Sequence, residues 1–189
     1  GEFVMLDLGA NTECSHEHLL QFAIMGSEFA KVVLGKDEPK IAILNIGTEA
    51  DKGKMYINET AKNLKESYLA KNFLGYIEGN DITSGLADVV VSDGFSGNIA
   101  LKTAEGVATL CSDYIKNIFQ SSFLGKLSFI LLSKKLVALK DKLDPRKRNG
   151  ALFLGLNGIV VKSHGGADAL GFASAIDIAY EFAYEDIAK

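Results

Sequence analysis

The stretch Val89-Val90-Val91-Ser92-Asp93-Gly94-Phe95-Ser96-Gly97-Asn98 decides the architecture. Successive side chains of a strand point to opposite faces, so three valines in a row predict a strand covered on both sides. The glycines and small polar residues that follow open a long helical pattern, from about Gly97 to Phe119. A fully buried strand that runs through a glycine-bearing loop into a helix is the building unit of a parallel sheet. The same unit recurs on either side of it. Val4–Leu6 runs into Asp7-Leu8-Gly9-Ala10-Asn11, and a helix with Leu19, Phe22, Ala23, Gly26 and Ala30 inward follows, starting near Ser15 and stopping at Gly35. Ile41–Ile46 runs into Gly47-Thr48-Glu49-Ala50-Asp51-Lys52-Gly53, and a helix from about Met55 to Leu69 turns Ala61, Leu64 and Tyr68 inward. Phe73–Ile77 is a further strand, a turn occupies Asp81–Gly85, and Ile159–Lys162 is a late strand. Asp168 then caps a final helix whose inward positions are Ala169, Phe172, Ala175, Ile176 and Ala179. The predicted fold class is α/β, a mainly parallel sheet with helices on both faces.

Composition limits the function classes. The chain has 189 residues, 48% hydrophobic and 23% charged, with a formal net charge of −4. Such a chain buries a substantial core, and no apolar run reaches the ~18 residues of a membrane span. Cys14 and Cys111 are too few and too distant for a disulfide framework or zinc site, which suits a reducing cytosol. Cys14 reads as an incidental loop thiol and Cys111 as a core residue of the long helix. His16 and His18, two apart, point to different sides of a helix and make a poor metal pair. Mild acidity argues against nucleic acid as a partner. The average conceals one segment. Residues 122–149 hold eight basic residues against two acidic ones, a net of +6 that leaves −10 for the rest. In it Leu127, Ile130 and Leu131 form one apolar stripe and Leu132, Leu136, Leu139 and Leu143 another, interleaved with lysines such as Lys134 and Lys135. The pattern predicts a basic helical hairpin at about 120–149, inserted in an α/β region spanning 4–189 and suited to an anionic membrane surface, an acidic partner protein or dimer packing. Gly1-Glu2-Phe3 resembles what a cloning site leaves behind, and the start beside a strand suggests a piece of a longer protein.

Ligands of open parallel sheets bind outside the carboxyl ends of the strands. Four loops there carry the chemistry: Asp7–Asn11, Asn45–Gly53, Ser92–Asn98 and Ser163–Asp168. Each combines glycines with side chains able to hold an anion, and the 92–98 loop opens a helix whose first N–H groups suit phosphate. None is a Walker A loop or a Gly-x-Gly-x-x-Gly fingerprint, and no Gly-x-Ser-x-Gly elbow is present. Plainer readings stand beside these: glycines required by the turn alone, Lys52 as a solvated lysine, His164 as a hydrogen-bonded structural histidine.

Taken together, the loops strongly resemble the bacterial phosphate acyltransferases of the PlsX type. The matching stretches are Leu6–Asn11, Glu17–Ser27, Leu44–Glu49, Asp93–Asn98, Leu101–Gly106 and Val161–Gly165, in the order and spacing of that family. The resemblance implies transfer of a fatty acyl group from acyl carrier protein to inorganic phosphate, giving acyl phosphate for phospholipid synthesis, with no metal or organic cofactor. It also implies a fold similar to isocitrate and isopropylmalate dehydrogenases, a homodimer, and a chain that is the C-terminal part of a longer cytoplasmic enzyme bound peripherally to the membrane. Lys52 is then expected to hold phosphate or developing charge, and Asn98 to polarise the carbonyl. Asn11, Gly47, Glu49, Asp93, Gly94, Gly97, Lys102 and His164 would line the crevice, with Leu127, Ile130, Leu131, Lys134 and Lys135 forming the membrane or partner surface. Two rival classes are a phosphate acetyl- or butyryltransferase using coenzyme A thioesters, and a non-catalytic membrane or carrier-protein binding module.

Overall fold

A computed structural model describes residues 2–143 and 150–184, with the side chains of Lys126 and of 137–143 left out. The chain forms two compact units, Gly1–Gly106 and Val107–Lys189.

The first unit is built on a four-stranded parallel sheet. Its strands are β1 (Val4–Leu6), β2 (Ile41–Leu44), β3 (Phe73–Ile77) and β4 (Val89–Val91), in the spatial order β1-β4-β2-β3. Strand β4 sits between β1 and β2, in register Leu6↔Val91 and Ile43↔Val91, and its three valines are fully buried. Val89 and Val91 pack with α1 (His16–Leu34) and α2 (Met55–Glu66), through Leu19, Phe22, Ile57 and Leu64. Val90 faces the other side with Ala42, Ile77 and Ala87, a cluster against which Phe3 and Met5 also pack. The unbroken valine run therefore means two covered faces, as its composition requires.

Local chemistry sets the helix ends. Ser15 Oγ accepts the His18 N–H at 3.4 Å while His18 Nδ1 accepts the Ser15 N–H at 3.1 Å, so an Ser-x-x-His pair that looks weak in sequence closes a reciprocal cap. Gly35 ends α1 with φ +62, the left-handed conformation that glycine adopts without strain. Leu19, Phe22, Ala23, Gly26 and Ala30 are all buried, as their spacing predicts. Other ends shift. Strand β2 stops at Leu44 and leaves Ile46 exposed, because Asn45 turns the chain into its loop. Helix α2 ends at Glu66, so Tyr68 lies beyond it and in solvent. Helix α3 spans Gly94–Gln120 and begins a turn earlier than the apolar pattern suggests.

The second unit corrects four expectations. The late strand is not part of the parallel sheet: β6 (Val161–Lys162) pairs antiparallel with β5 (Ala151–Leu152) in a separate ribbon. Within the basic segment there is no turn among the described residues. A single helix, α4 (Phe123–Leu143), fills it, consistent with the lack of glycine or proline between Lys126 and Asp144; residues 144–149 lie outside the described residues. Helix α5 (Ala169–Tyr184) does start after Asp168, whose Oδ1 accepts the Gly171 N–H at 2.9 Å. It packs through Gly171 and Ala175, however, while Ala169, Phe172 and Ile176 are exposed and Ala179 is half-buried. Gly150 lies close to this helix: a Cβ there would stand 3.1 Å from Ile178 Cδ1 and 3.5 Å from the Ala175 Cα. Cys111, expected in the core, is exposed.

Leu64 is fully buried against α1 and the sheet face. Leu64→Ala is expected to cost about 2–5 kcal/mol of stability, read as a lowered urea midpoint with unchanged slope.

Candidate functional site

The site is assembled at the carboxyl edge of β1, β4 and β2, and its first component is a loop held by its own carboxylate. Asp7 ends β1. Its Oδ1 accepts the N–H groups of Gly9 (2.8 Å) and Ala10 (2.9 Å), and its Oδ2 those of Asn11 (2.6 Å) and the Asn11 side chain (2.9 Å). Burial alone would push the Asp7 carboxyl up. The donors from Ala10, Asn11 and Gly9 outweigh it, and the group is held below the usual aspartate range.

This clamped loop lies directly on the N-terminus of α3. The Gly94 N–H donates to the Asn11 carbonyl at 2.9 Å, and a Cβ at Gly94 would stand 2.5 Å from that oxygen. A Cβ at Gly97 would collide with the Asp7 carbonyl oxygen, to which Ser92 Oγ also donates at 3.0 Å. Only glycine lets the two backbones approach so closely. Asp93 caps the helix. Its Oδ1 accepts the Ser96 N–H at 2.7 Å, and its Oδ2 accepts Ser96 Oγ at 3.0 Å and the Tyr56 hydroxyl at 2.7 Å. Here too burial pushes the carboxyl up, and the Ser96 N–H, the Tyr56 and Ser96 hydroxyls and the charge of Lys54 carry it below its ordinary value. Tyr56 itself is pushed well above the usual tyrosine range, by burial first and then by its bond to Asp93. Asn98 lies one turn on, with its Cβ and Cγ 3.5 Å from where a Gly9 Cβ would be.

The N-terminal N–H groups of α3 are thus largely committed. Gly94 donates to Asn11, Ser96 to the Asp93 carboxylate and Gly97 to the Asp93 carbonyl. The helix offers an incoming anion its dipole and the Asn98 side chain more than a ring of free amides.

The β2 loop forms the second component. Asn45 Nδ2 donates to the Lys52 carbonyl at 3.1 Å, while Asn45 Oδ1 is buried without a partner. Gly53 holds φ +88, and a Cβ there would run into the Asn45 amide. Lys52 arches over Gly47, whose Cβ would meet Lys52 Cδ at 2.5 Å and Glu49 Oε2 at 2.7 Å. The Lys52 Nζ pairs with Glu49 Oε1 at 2.9 Å, and both side chains are about half exposed. The Glu49 hydrogen bond raises the Lys52 pKa, and the Lys52 hydrogen bond lowers that of Glu49.

The predicted residues therefore fall into five places. Asn11, Asp93, Gly94, Gly97 and Asn98 converge where the β1 loop meets α3. Gly47, Glu49 and Lys52 sit on the loop of β2, the strand beside β4. Lys102, one turn beyond Asn98, pairs with Glu105 at 2.7 Å. His164 belongs to the second unit, where its Nδ1 accepts the Gly166 N–H at 3.1 Å. Leu127, Ile130, Leu131, Lys134 and Lys135 are exposed on α4. Asp7, Tyr56, Ser96 and Asn45 are the positioning side chains that sequence reading missed. An aspartate followed by Gly-Ala-Asn signals a carboxylate-clamped turn, whereas the Tyr56–Asp93 pairing spans 37 residues and leaves no local trace. Among the described residues, no group of three or more His, Cys, Asp or Glu could hold a metal ion.

The profile of the family described as fatty acid synthesis protein matches residues 1–189. The chain belongs to this family. It is 55% identical over 179 residues to a phosphate acyltransferase of Rhodospirillum centenum, covering 95% of this chain and 50% of that protein. It is 51% identical over 181 residues to the phosphate acyltransferase of Paramagnetospirillum magneticum (96% and 52% covered), and 51% identical over 187 residues to that of Parvibaculum lavamentivorans (99% and 52%). The chain spans about half the length of these curated relatives. The match agrees with the family that the loop motifs resemble.

The Asp7 clamp has a measurable signature. A carboxyl whose folded pKa is depressed contributes stability that is present above its unfolded pKa of about 4 and lost as pH falls through the folded value. Asp7→Asn is expected to lower stability at neutral pH and to flatten the loss of stability as pH falls below about 4, by urea unfolding at fixed pH values. Parallel acid curves for the two proteins would contradict it.

Proposed function

We propose that the full-length protein transfers a fatty acyl group from acyl carrier protein to inorganic phosphate. The observation that carries this reading is the placement of a lysine and a carboxamide just beyond adjacent parallel strands, Lys52 in the loop after β2 and Asn98 near the start of α3 after β4, in a chain that belongs to the fatty acid synthesis protein family. A phosphate oxygen attacks the thioester carbonyl, the C–O bond forms, the C–S bond breaks, and the carrier thiolate departs. Phosphate is already a competent nucleophile, so the protein's task is to position it and stabilise the tetrahedral oxyanion. Lys52 holds phosphate by exchanging Glu49 for the incoming anion, a switch that the half-exposed ion pair permits. Asn98 donates its amide N–H to the oxyanion, backed by the positive end of α3. Gly47, Gly94 and Gly97 allow close approach, while Asp93 and Asn11 serve as framework more than as anion ligands.

The α4 surface supports a second element of the proposal, peripheral attachment to the cytoplasmic face of a membrane. At about 100° per residue, Phe123, Leu124, Leu127, Ile130 and Leu131 fall within roughly one third of the helix circumference. All five are exposed, and Lys134 and Lys135 continue the same face one turn on. Apolar side chains flanked by lysines suit an anionic bilayer surface, each basic residue adding about 1 kcal/mol. Among the described residues, no helix is long and apolar enough to cross a membrane.

The reading predicts free carrier thiol from palmitoyl carrier protein only when phosphate is added, with acetyl-coenzyme A a poor substitute. In the full-length protein, Asn98→Ala is expected to lower turnover about 100- to 1000-fold, and Lys52→Ala to raise the phosphate requirement as well as slow turnover. Unchanged acyl-phosphate formation in both variants would overturn the assignment. Replacing Leu127, Ile130 and Leu131 by glutamate is expected to abolish flotation with phosphatidylglycerol vesicles. Undiminished flotation would reject the membrane role.

A further inference from the structure

We propose that Tyr56 is a positioning residue that sets Asn98 against Lys52, acting through the Asp93 carboxylate; this rests on the acyl-transfer reading above. The two functional side chains stand on different elements, one in the loop after β2 and one near the start of α3. Transfer to a tetrahedral intermediate requires their separation to be fixed, because a misplacement of about 1 Å can cost about 100-fold in rate. Tyr56 makes the bridge. It belongs to the first turn of α2, four residues after Lys52, and its hydroxyl donates to Asp93 Oδ2 at 2.7 Å. The same carboxylate holds the first turn of α3 through the Ser96 N–H and hydroxyl, and Asn98 follows within that turn and the next. One hydrogen bond therefore ties the helix that begins behind the lysine loop to the helix that presents the amide.

A neighbouring cation supports the tyrosine in this role. The Lys54 ammonium lies 5.5 Å from the Tyr56 ring centroid, over its face, and its charge also favours the ionised form of Asp93. The Cys14 thiol lies near the same carboxylate, and its burial together with the charges of Asp7 and Asp93 pushes its pKa up. Asp93 is 5% exposed, so its negative charge is kept by donors that Tyr56 completes. Without the hydroxyl, the carboxylate keeps the Ser96 bonds but loses its attachment to α2, and its protonation moves to higher pH.

Tyr56→Phe in the full-length protein removes one oxygen and leaves the ring. We expect kcat to fall about tenfold with the phosphate KM changed less than about twofold, because alignment is felt mainly in the transition state. The acid limb of the kcat–pH profile should move upward. Asp93→Asn should lower kcat too, and adding Tyr56→Phe to it should cost little more, since both act through one bond. Amide hydrogen exchange, read without substrate, should accelerate in 47–54 and 94–98 together. Unchanged exchange in both segments overturns the link whatever the activity. Accelerated exchange with kcat and the acid limb unchanged leaves Tyr56 merely structural and equally overturns the proposal. A wild-type protein that releases no carrier thiol with phosphate refutes the acyl-transfer reading instead, a result that the exchange measurement keeps separate from failure of the bridge.

Discussion

Everything at the candidate site depends on the contact between the Asp7 carbonyl and Gly97. It brings the backbone at the end of β1 onto the first turn of α3 with no room for a side chain between them. That contact is possible because β4 lies beside β1 in exact parallel register, with Asp7 N–H bonded to the Ser92 carbonyl at 2.8 Å and Ser92 N–H to the Leu6 carbonyl at 2.8 Å. The ladder continues past the last strand residues and delivers both loops to one place. Glycine at 94 and 97 then does what no other residue can, and Asn98 arrives against Gly9 as a consequence. The side chain that is proposed to meet the oxyanion is thus brought beside Gly9 by backbone packing.

Electrostatics at this junction run against a simple anion cradle. Two carboxylates, Asp7 and Asp93, are buried within it, and both are kept ionised by N–H and hydroxyl donors. These carboxylates use up the loop amides that a phosphate would otherwise take. On the proposed reading, the positive charge for a substrate anion comes instead from the neighbouring β2 loop, where Lys52 is paired with Glu49. That reading separates structure-holding from anion-holding between adjacent loops. The Tyr56 hydroxyl crosses from one to the other.

Much of this was readable from the chain, and what was not has physical causes. Apolar runs such as Val89–Val91 and Ile41–Ile46 announce strands buried on both faces, the second two residues too long, and the period of Leu19, Phe22, Ala23, Gly26 and Ala30 announces α1 because one face of it packs on that sheet. The glycine loops announce the carboxyl edge. Misreadings arise where packing partners lie far away in sequence. Phe172 and Ile176 look inward by size, yet the residues that α5 buries are Gly171 and Ala175. A two-residue strand at Val161–Lys162 looks like a sheet member until its antiparallel partner at Ala151–Leu152 is known. The basic segment alternates leucine and lysine in a way that fits a hairpin or one helix equally well, and the lack of a chain breaker decides for the helix. Tyr56 carries no motif at all, since its meaning comes only from Asp93.

The register of β3 has a further consequence. Its ladder with β2 pairs Ile41 with Phe73 but Ala42 with Gly75, so Leu74 is an extra residue, and Gly75 takes φ +101 to absorb it. β3 is the outer strand on that side of the sheet, and Leu74 stands half exposed on it. An edge strand with a straight run of free N–H and C=O groups invites another chain to pair with it. The bulge twists those groups out of line and spoils the template. An apolar residue can therefore be left at the margin of the sheet without seeding edge-to-edge aggregation.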